Sequence, residues 1–318
     1  MRSMIIIIMG LLYASIALAA ATAPSDGGPA TKPLPKFDRL WDYDHPAVTE
    51  QKFRALLPAA EKSGDLSYLL ELQTQVARCQ GLEGKFDDCH ATLDAVEKRL
   101  TDEVPVARIR YLLERGRAFN SSDHPDKAKP LFLAAWNQAN TVGENGHAID
   151  AAHMIAIVEP DLSAQVDWNC KALALIDKDP KQQGWQPSIY NNLGETYRHR
   201  KEYDKALDCF QKRANWFKDR GQRPDIYTVK DVARMNRLLG RSDIALATIE
   251  PVAKNLKAKK RSDGYISAEY GQCLLAAGRT DEAKPFLVEA YELLSKDDDM
   301  VKNEPEELQR IKQLAGRD

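Results

Sequence analysis

The chain has 318 residues, 43% hydrophobic and 29% charged, and 45 Lys and Arg against 47 Asp and Glu leave a net charge of −2. That near balance argues against a general nucleic-acid or membrane-surface role, since both draw on a basic excess. Its five cysteines cannot all pair within one chain.

Met1-Arg2-Ser3-Met4 carries one positive charge, Ile5 to Ala19 is apolar, and Ala17-Leu18-Ala19 has a small-x-small cleavage pattern. The apolar run is about 15 residues, short of the roughly 20 that span a bilayer. Residues 1–19 therefore read as a secretory signal peptide, cut after Ala19. The mature chain is expected to be exported, periplasmic or secreted, with no stable membrane span. No Cys follows closely enough for a lipid anchor.

Residues 20–46 are polar and broken by Pro24, Pro29, Pro33, Pro35 and Pro46, the composition of an extended linker. Phe37, Trp41 and Tyr43 near its end are suited to dock onto the first helices. Residues 47–62 and 65–82 read as helices, and helical hairpins follow.

Six pairs of small residues, each twelve apart, mark those hairpins: Ala77/Cys89, Gly116/Ala128, Ala152/Ala164, Gly194/Ala206, Ala233/Ala245 and Gly271/Ala283. The second members are 39, 36, 42, 39 and 38 residues apart, one helical hairpin per repeat. Other features recur in phase. Asp87, Asp126, Asp204, Asp243 and Asp281 lie two residues before the second small residue, suited to capping the second helix or favouring its positive end. Gly84, Gly240 and Gly278 lie five before it, where the first helix must stop. Leu93, Phe132, Trp168, Phe210, Ile249 and Leu287 lie four after it and are expected to fill the space beside the small pair.

The unit over 187–217 is the strongest. Tyr190, Leu193, Gly194 and Tyr197 form one helical face, and Ala206 and Phe210 face back from the next helix. With Tyr190-x-x-Leu193-Gly194-x-x-Tyr197, Ala206 and Phe210, the chain resembles the tetratricopeptide repeat family. The resemblance covers about residues 65–295, through repeats longer than the family's usual 34 residues. It is weakest at Ala152, where Pro160 interrupts the turn and no Asp precedes Ala164. Tyr111–Ser122 and Ala151–Val158 also resemble segments of a group of bacterial proteins built of these repeats.

The resemblance implies an all-α fold, a right-handed α-solenoid of antiparallel helix hairpins in a tetratricopeptide-like superhelix. Residues 47–295 would hold about six hairpins and an N-terminal helix. Residues 296–318 would form a capping helix, with Leu308, Ile311 and Leu314 along one side, because a solenoid must cover its last apolar face.

Signs of chemistry are few. The chain lacks His-Glu-x-x-His, Gly-x-Ser-x-Gly and Cys-x-x-Cys, and Gly81-Leu-Glu-Gly84-Lys85 lacks the spacing of a phosphate-binding loop. In Asp87-Asp88-Cys89-His90, neighbours on a helix point about 100° apart and do not converge on one ion. The six histidines are scattered. No enzyme, cofactor or metal is expected. Cys79 and Cys89 sit on the two helices of one hairpin. They form either a disulfide or two small buried apolar positions, the latter favoured because the other repeats carry Ala where Cys89 stands.

In the family, the first helix of each hairpin lines a concave groove that binds protein or peptide. The matching positions here begin with Glu71, Thr74 and Arg78, then Arg110, Arg117, Asn120 and Ser121, then His153. Asn191, Glu195, Arg198 and His199 follow, then Tyr227, Lys230, Arg234 and Arg237. Seven are basic and two acidic, so the groove reads as mildly basic and suited to an acidic or carboxylate-bearing peptide, which Arg holds with paired hydrogen bonds. The expected function is a non-enzymatic scaffold or adaptor of the cell envelope. Two alternatives stand beside it: a structural or self-associating module without a groove ligand, and the regulatory subunit of an enzyme.

Overall fold

A computed structural model describes residues 34–317. The expected signal peptide and the linker up to residue 33 lie outside the described residues. The chain divides into two compact units at Val158/Glu159, inside the weakest repeat.

In the unit over 34–158, a 3-10 turn (Phe37–Leu40) leads into α1 (Pro46–Ser63), α2 (Leu66–Leu82), α3 (Phe86–Glu97), α4 (Pro105–Ser121), α5 (Pro125–Val142) and α6 (Asn145–Val158). Its hairpins are α2/α3 and α4/α5. Pro46, Pro105 and Pro125 open their helices at the first turn, where a missing N–H costs nothing.

The unit over 159–317 holds α7 (Leu162–Lys178), a 3-10 turn (Pro180–Trp185), α8 (Gln186–His199), α9 (Tyr203–Lys218), α10 (Ile226–Leu238) and α11 (Ser242–Ala258). Then come α12 (Gly264–Ala276), α13 (Thr280–Leu294), α14 (Asp298–Asn303) and α15 (Pro305–Leu314). Its hairpins are α8/α9, α10/α11 and α12/α13. The all-α class and the hairpin repeat expected from the sequence are present in each unit, and no described helix is long and apolar enough to cross a membrane.

One turn geometry serves all five of these hairpins. Gly84, Asp123, Lys201, Gly240 and Gly278, each five residues before the second small residue, have φ of 74°, 65°, 60°, 75° and 73°. The next residue donates its N–H five residues back: Lys85 to Gln80 O, His124 to Phe119 O, Glu202 to Tyr197 O, Arg241 to Asn236 O and Arg279 to Leu274 O. These left-handed turns satisfy carbonyls that the first helix leaves open.

The in-phase aspartates fit the second of their two expected roles, beside the positive helix end, rather than the first, as caps. Asp87, Asp126, Asp204, Asp243 and Asp281 sit in the first turn of the second helix, and no side chain caps those helices. Their charge lies beside the positive helix end. The capping aspartates precede other helices instead: Asp65, Asp161, Asp225, Asp263 and Asp297 each accept a backbone N–H three residues on, at 2.8–3.0 Å.

Leu93, Phe132, Phe210, Ile249 and Leu287 are buried as expected, but Trp168 is not. In α7 the buried positions are Asn169, Ala172 and Ile176, and Trp168 lies half-buried with Lys171 Nζ 3.7 Å from its ring centre. Asp161 caps α7 after Pro160, a start that the other second helices lack.

The last part of the expected linker is folded: Phe37 is buried against Phe53, Leu69, Leu72 and Val76. At the other end, the single capping helix is two, α14 and α15, broken before Pro305. Ile311 packs with Ala268, Ala290, Leu294 and Met300, whereas Leu314 is exposed and Ala315 takes the buried place. Cys79 and Cys89 are free thiols in separate apolar clusters.

Candidate functional site

In the first unit, α2, α4 and α6 carry a chain of charges on their first-helix face. Asp38, from the 3-10 turn, accepts from Arg110 Nη1 and Nη2 at 3.2 and 3.0 Å, and Glu71 Oε2 lies 3.2 Å from Arg110 Nε. Arg78 Nη1 is 3.1 Å from Glu114 Oε2, and Arg117 Nη1 is 2.7 Å from Glu114 Oε1. Arg117 also pairs with Asp150. Burial by itself would raise the Asp150 carboxyl, but the Arg117 guanidinium holds it below its ordinary value. Burial, aided by Arg117 and Arg78, pushes His153 down to about 4. Asn120 is buried, and its Oδ1 has no hydrogen-bond partner among the described residues.

In the second unit, the same face of α8, α10 and α12 is also interlocked. Arg198 Nε donates to Glu195 Oε2 at 2.6 Å, and its Nη2 reaches Glu304 Oε1 at 3.3 Å. Arg237 grips Glu269 with two hydrogen bonds of 2.6 and 2.9 Å. Lys230 Nζ is 2.9 Å from Asp231 Oδ1 and lies 5.9 and 5.8 Å from the ring centres of Tyr227 and Tyr265. Asn191 is buried, and its Oδ1 accepts from Arg213.

Six of the seven cations expected to face a ligand therefore have a carboxylate within 4.0 Å. Arg234, half-buried on α10, has none among the described residues. It lies close enough to Glu195 and Glu307 to favour their charged forms. The basic skew expected from the sequence is thus offset by Glu114, Asp150, Asp231, Glu269 and Glu304. Glu114 was accessible to sequence reasoning, being on the same helical stripe as Arg110 and Arg117. Glu304 was not, because a chain end outside the repeat brings it in. No group of three or more metal-ligating side chains converges among the described residues.

Residues 187–212, within α8 and α9, match the tetratricopeptide repeat family. The α8/α9 hairpin is a tetratricopeptide repeat. No curated protein matches the chain. Among solved structures, BtubC from P. vanneervenii is similar with a TM-score of 0.56 at 16% identity, over 72% of this chain and 94% of that one. The Cut9–Hcn1 tetramer of the APC/C is similar with a TM-score of 0.60 at 12% identity, over 86% of this chain and 47% of that one. A tetratricopeptide repeat protein from Parabacteroides merdae gives 0.49 at 16% identity, over 88% and 99% of the two chains. At these identities, the first two likenesses are of fold alone.

Proposed function

We propose that this protein is a non-enzymatic scaffold that holds an acidic or carboxylate-bearing segment of another protein on the first-helix face of α8 and α10. Arg234 carries the reading. Of the seven cations it is the one with no carboxylate within 4.0 Å among the described residues, and a guanidinium can hold a planar anion with two parallel hydrogen bonds. We place the scaffold outside the cytoplasm, on the strength of the apolar run and cleavage pattern at residues 5–19.

The experiment is a pull-down from cell-envelope extract, read by mass spectrometry, comparing wild type with an Arg234→Glu variant checked for helix content. A protein captured by wild type and lost by the variant supports the reading, and one kept by both moves binding to another face. Periplasmic recovery of a chain beginning at Ala20 tests the location. A structural module without a groove ligand is the second reading, favoured by the internal neutralisation of the other six cations. Capture of nothing but the chain itself would select it.

A further inference from the structure

We infer that residues 34–45 are a built-in ligand, a strap that packs against α1 and α2, reaches Arg110 of α4, and covers the first-helix face there until a segment of a partner protein displaces it. The inference rests on the reading that first-helix faces bind protein segments.

The strap makes the contacts that a bound segment would make. Phe37 is the anchor: it is 4% exposed, with its ring 6.2 Å from Phe53 and 5.2 Å from Tyr68, both edge-on. Tyr68 OH donates to Pro35 O at 2.8 Å. One residue beyond the anchor, Asp38 forks onto Arg110, a residue of the next first helix. Trp41 Nε1 donates to Gln75 Oε1 at 3.1 Å, and Trp41 stacks on Tyr43 with ring centres 4.6 Å apart. The Arg78 guanidinium lies 5.9 and 5.7 Å from those two rings. Two arginines that the repeat phase assigns to a ligand, Arg78 and Arg110, are thus engaged by the chain itself.

The hold is lopsided, which is what a displaceable strap requires. The anchor is buried, but the Asp38 side chain is 57% exposed, and Trp41 and Tyr43 are half-buried. Most of the strap's backbone bonds stay within it: Arg39 N donates to Lys36 O at 3.1 Å, Asp44 N to Asp42 Oδ1 at 3.2 Å and His45 N to Asp42 O at 3.3 Å. Before the His45 carbonyl that opens α1, those that leave it are Pro35 O, which accepts from Tyr68 OH, and the exchange of Asp42 N and O with Thr49 Oγ1 at 3.1 and 3.0 Å. Such a segment opens at lower free energy than the helices beneath it. Release would leave Arg110 with Glu71 alone and would empty the Phe37 site. The fitting partner is therefore a segment with a large apolar residue followed by a carboxylate.

Two measurements on the full mature chain test this. In native-state hydrogen exchange, the Arg39 and Asp42 amides should exchange at least about tenfold faster than amides in mid-α2 and mid-α4. Equal protection would make the strap a core element and overturn the proposal. The second uses a labelled synthetic peptide of residues 34–45 as probe. It should bind a Phe37→Ala/Asp38→Ala variant at least about tenfold more tightly than wild type, and adding Arg110→Ala should remove most of that gain. Equal binding to both, or none to the variant while it remains helical by circular dichroism, would overturn the proposal. If that variant does not fold, Asp38→Ala/Trp41→Ala carries the same comparison. The Arg234 pull-down reads the other unit, so either idea can fail alone.

Discussion

Gly194 lies against the ring of Phe210: a Cβ on Gly194 would stand 2.5 Å from Phe210 Cε1, closer than non-bonded carbons approach. Gly116 meets Phe132 at the same 2.5 Å, and Gly271 meets Leu287 at 2.7 Å. Where the small residue is Ala, at Ala77 and Ala233, the residue sixteen later is Leu93 or Ile249, in the same cluster. The small residue thus makes room for a large side chain on the partner helix rather than for the second small residue.

Gly194→Ala therefore sets two effects against each other. Overpacking costs about 1–3 kcal/mol, and removing a mid-helix Gly returns roughly 0.5–1 kcal/mol. Phe210 is fully buried and has nowhere to swing, so the net should be a loss of about 1–2 kcal/mol in urea unfolding. Gly194→Ala/Phe210→Leu should recover part of it. An unchanged midpoint for the single variant would refute this packing.

The left-handed turns give a second test with opposite signs. Gly240 has φ of 75° and nothing within 4 Å of a built Cβ, so Gly240→Ala meets only backbone strain, about 1 kcal/mol of destabilisation. Lys201 carries that strain already, at φ of 60°. Lys201→Gly should raise stability by up to about 1 kcal/mol. Thermal or urea midpoints moving the same way for both substitutions would contradict the shared geometry.

These relationships mark how far the sequence could be read. The small pairs were legible because a close partner side chain leaves room for little more than a hydrogen or a methyl group, and Gly84, Gly240 and Gly278 because a left-handed turn is a backbone demand that few residues meet. Asp123 and Lys201 hold the same turn without being glycine, so only the phase betrays them. Trp168 misled because a large apolar residue in phase says nothing of a helix start displaced by Pro160 and Asp161. The charge of the candidate site was misread for a different reason. Periodicity names the residues on one face of one helix, but pairing across helices, as between Arg198 and Glu304, depends on where a chain end packs.

Arg237 and Glu269 form a buried, two-pronged ion pair, with side chains 9% and 4% exposed. Arg237→Ala would strand the Glu269 carboxylate, also within reach of Cys273 Sγ at 3.3 Å, in a place water hardly enters. The loss should be about 3–5 kcal/mol. The double variant Arg237→Met/Glu269→Leu should lie much closer to wild type, because it removes both charges and keeps the volume. A double-mutant cycle in urea measures the coupling, and a double variant as unstable as the single one would show that packing rather than charge dominates.

Acid should weaken the fold in two stages. His153 is pushed down to about 4 by burial and by Arg117 and Arg78, against the pull of Asp150. An unfolded His protonates near 6.5, so between about 6.5 and 4 the unfolded chain takes up a proton that the folded chain refuses. Stability falls as the pH drops through that window, by on the order of 3 kcal/mol at most. Burial would raise Glu195, but Arg198, Arg234 and Lys230 hold it at about 2. Its contribution is whole above the unfolded value of 4.5 and is lost as the pH falls toward about 2. Urea midpoints at neutral pH and in steps down to pH ~2 should therefore decline, and His153→Gln should flatten the decline above pH ~4 while leaving the more acidic stage in place. An equal slope for wild type and variant would mean that His153 titrates freely in the folded protein.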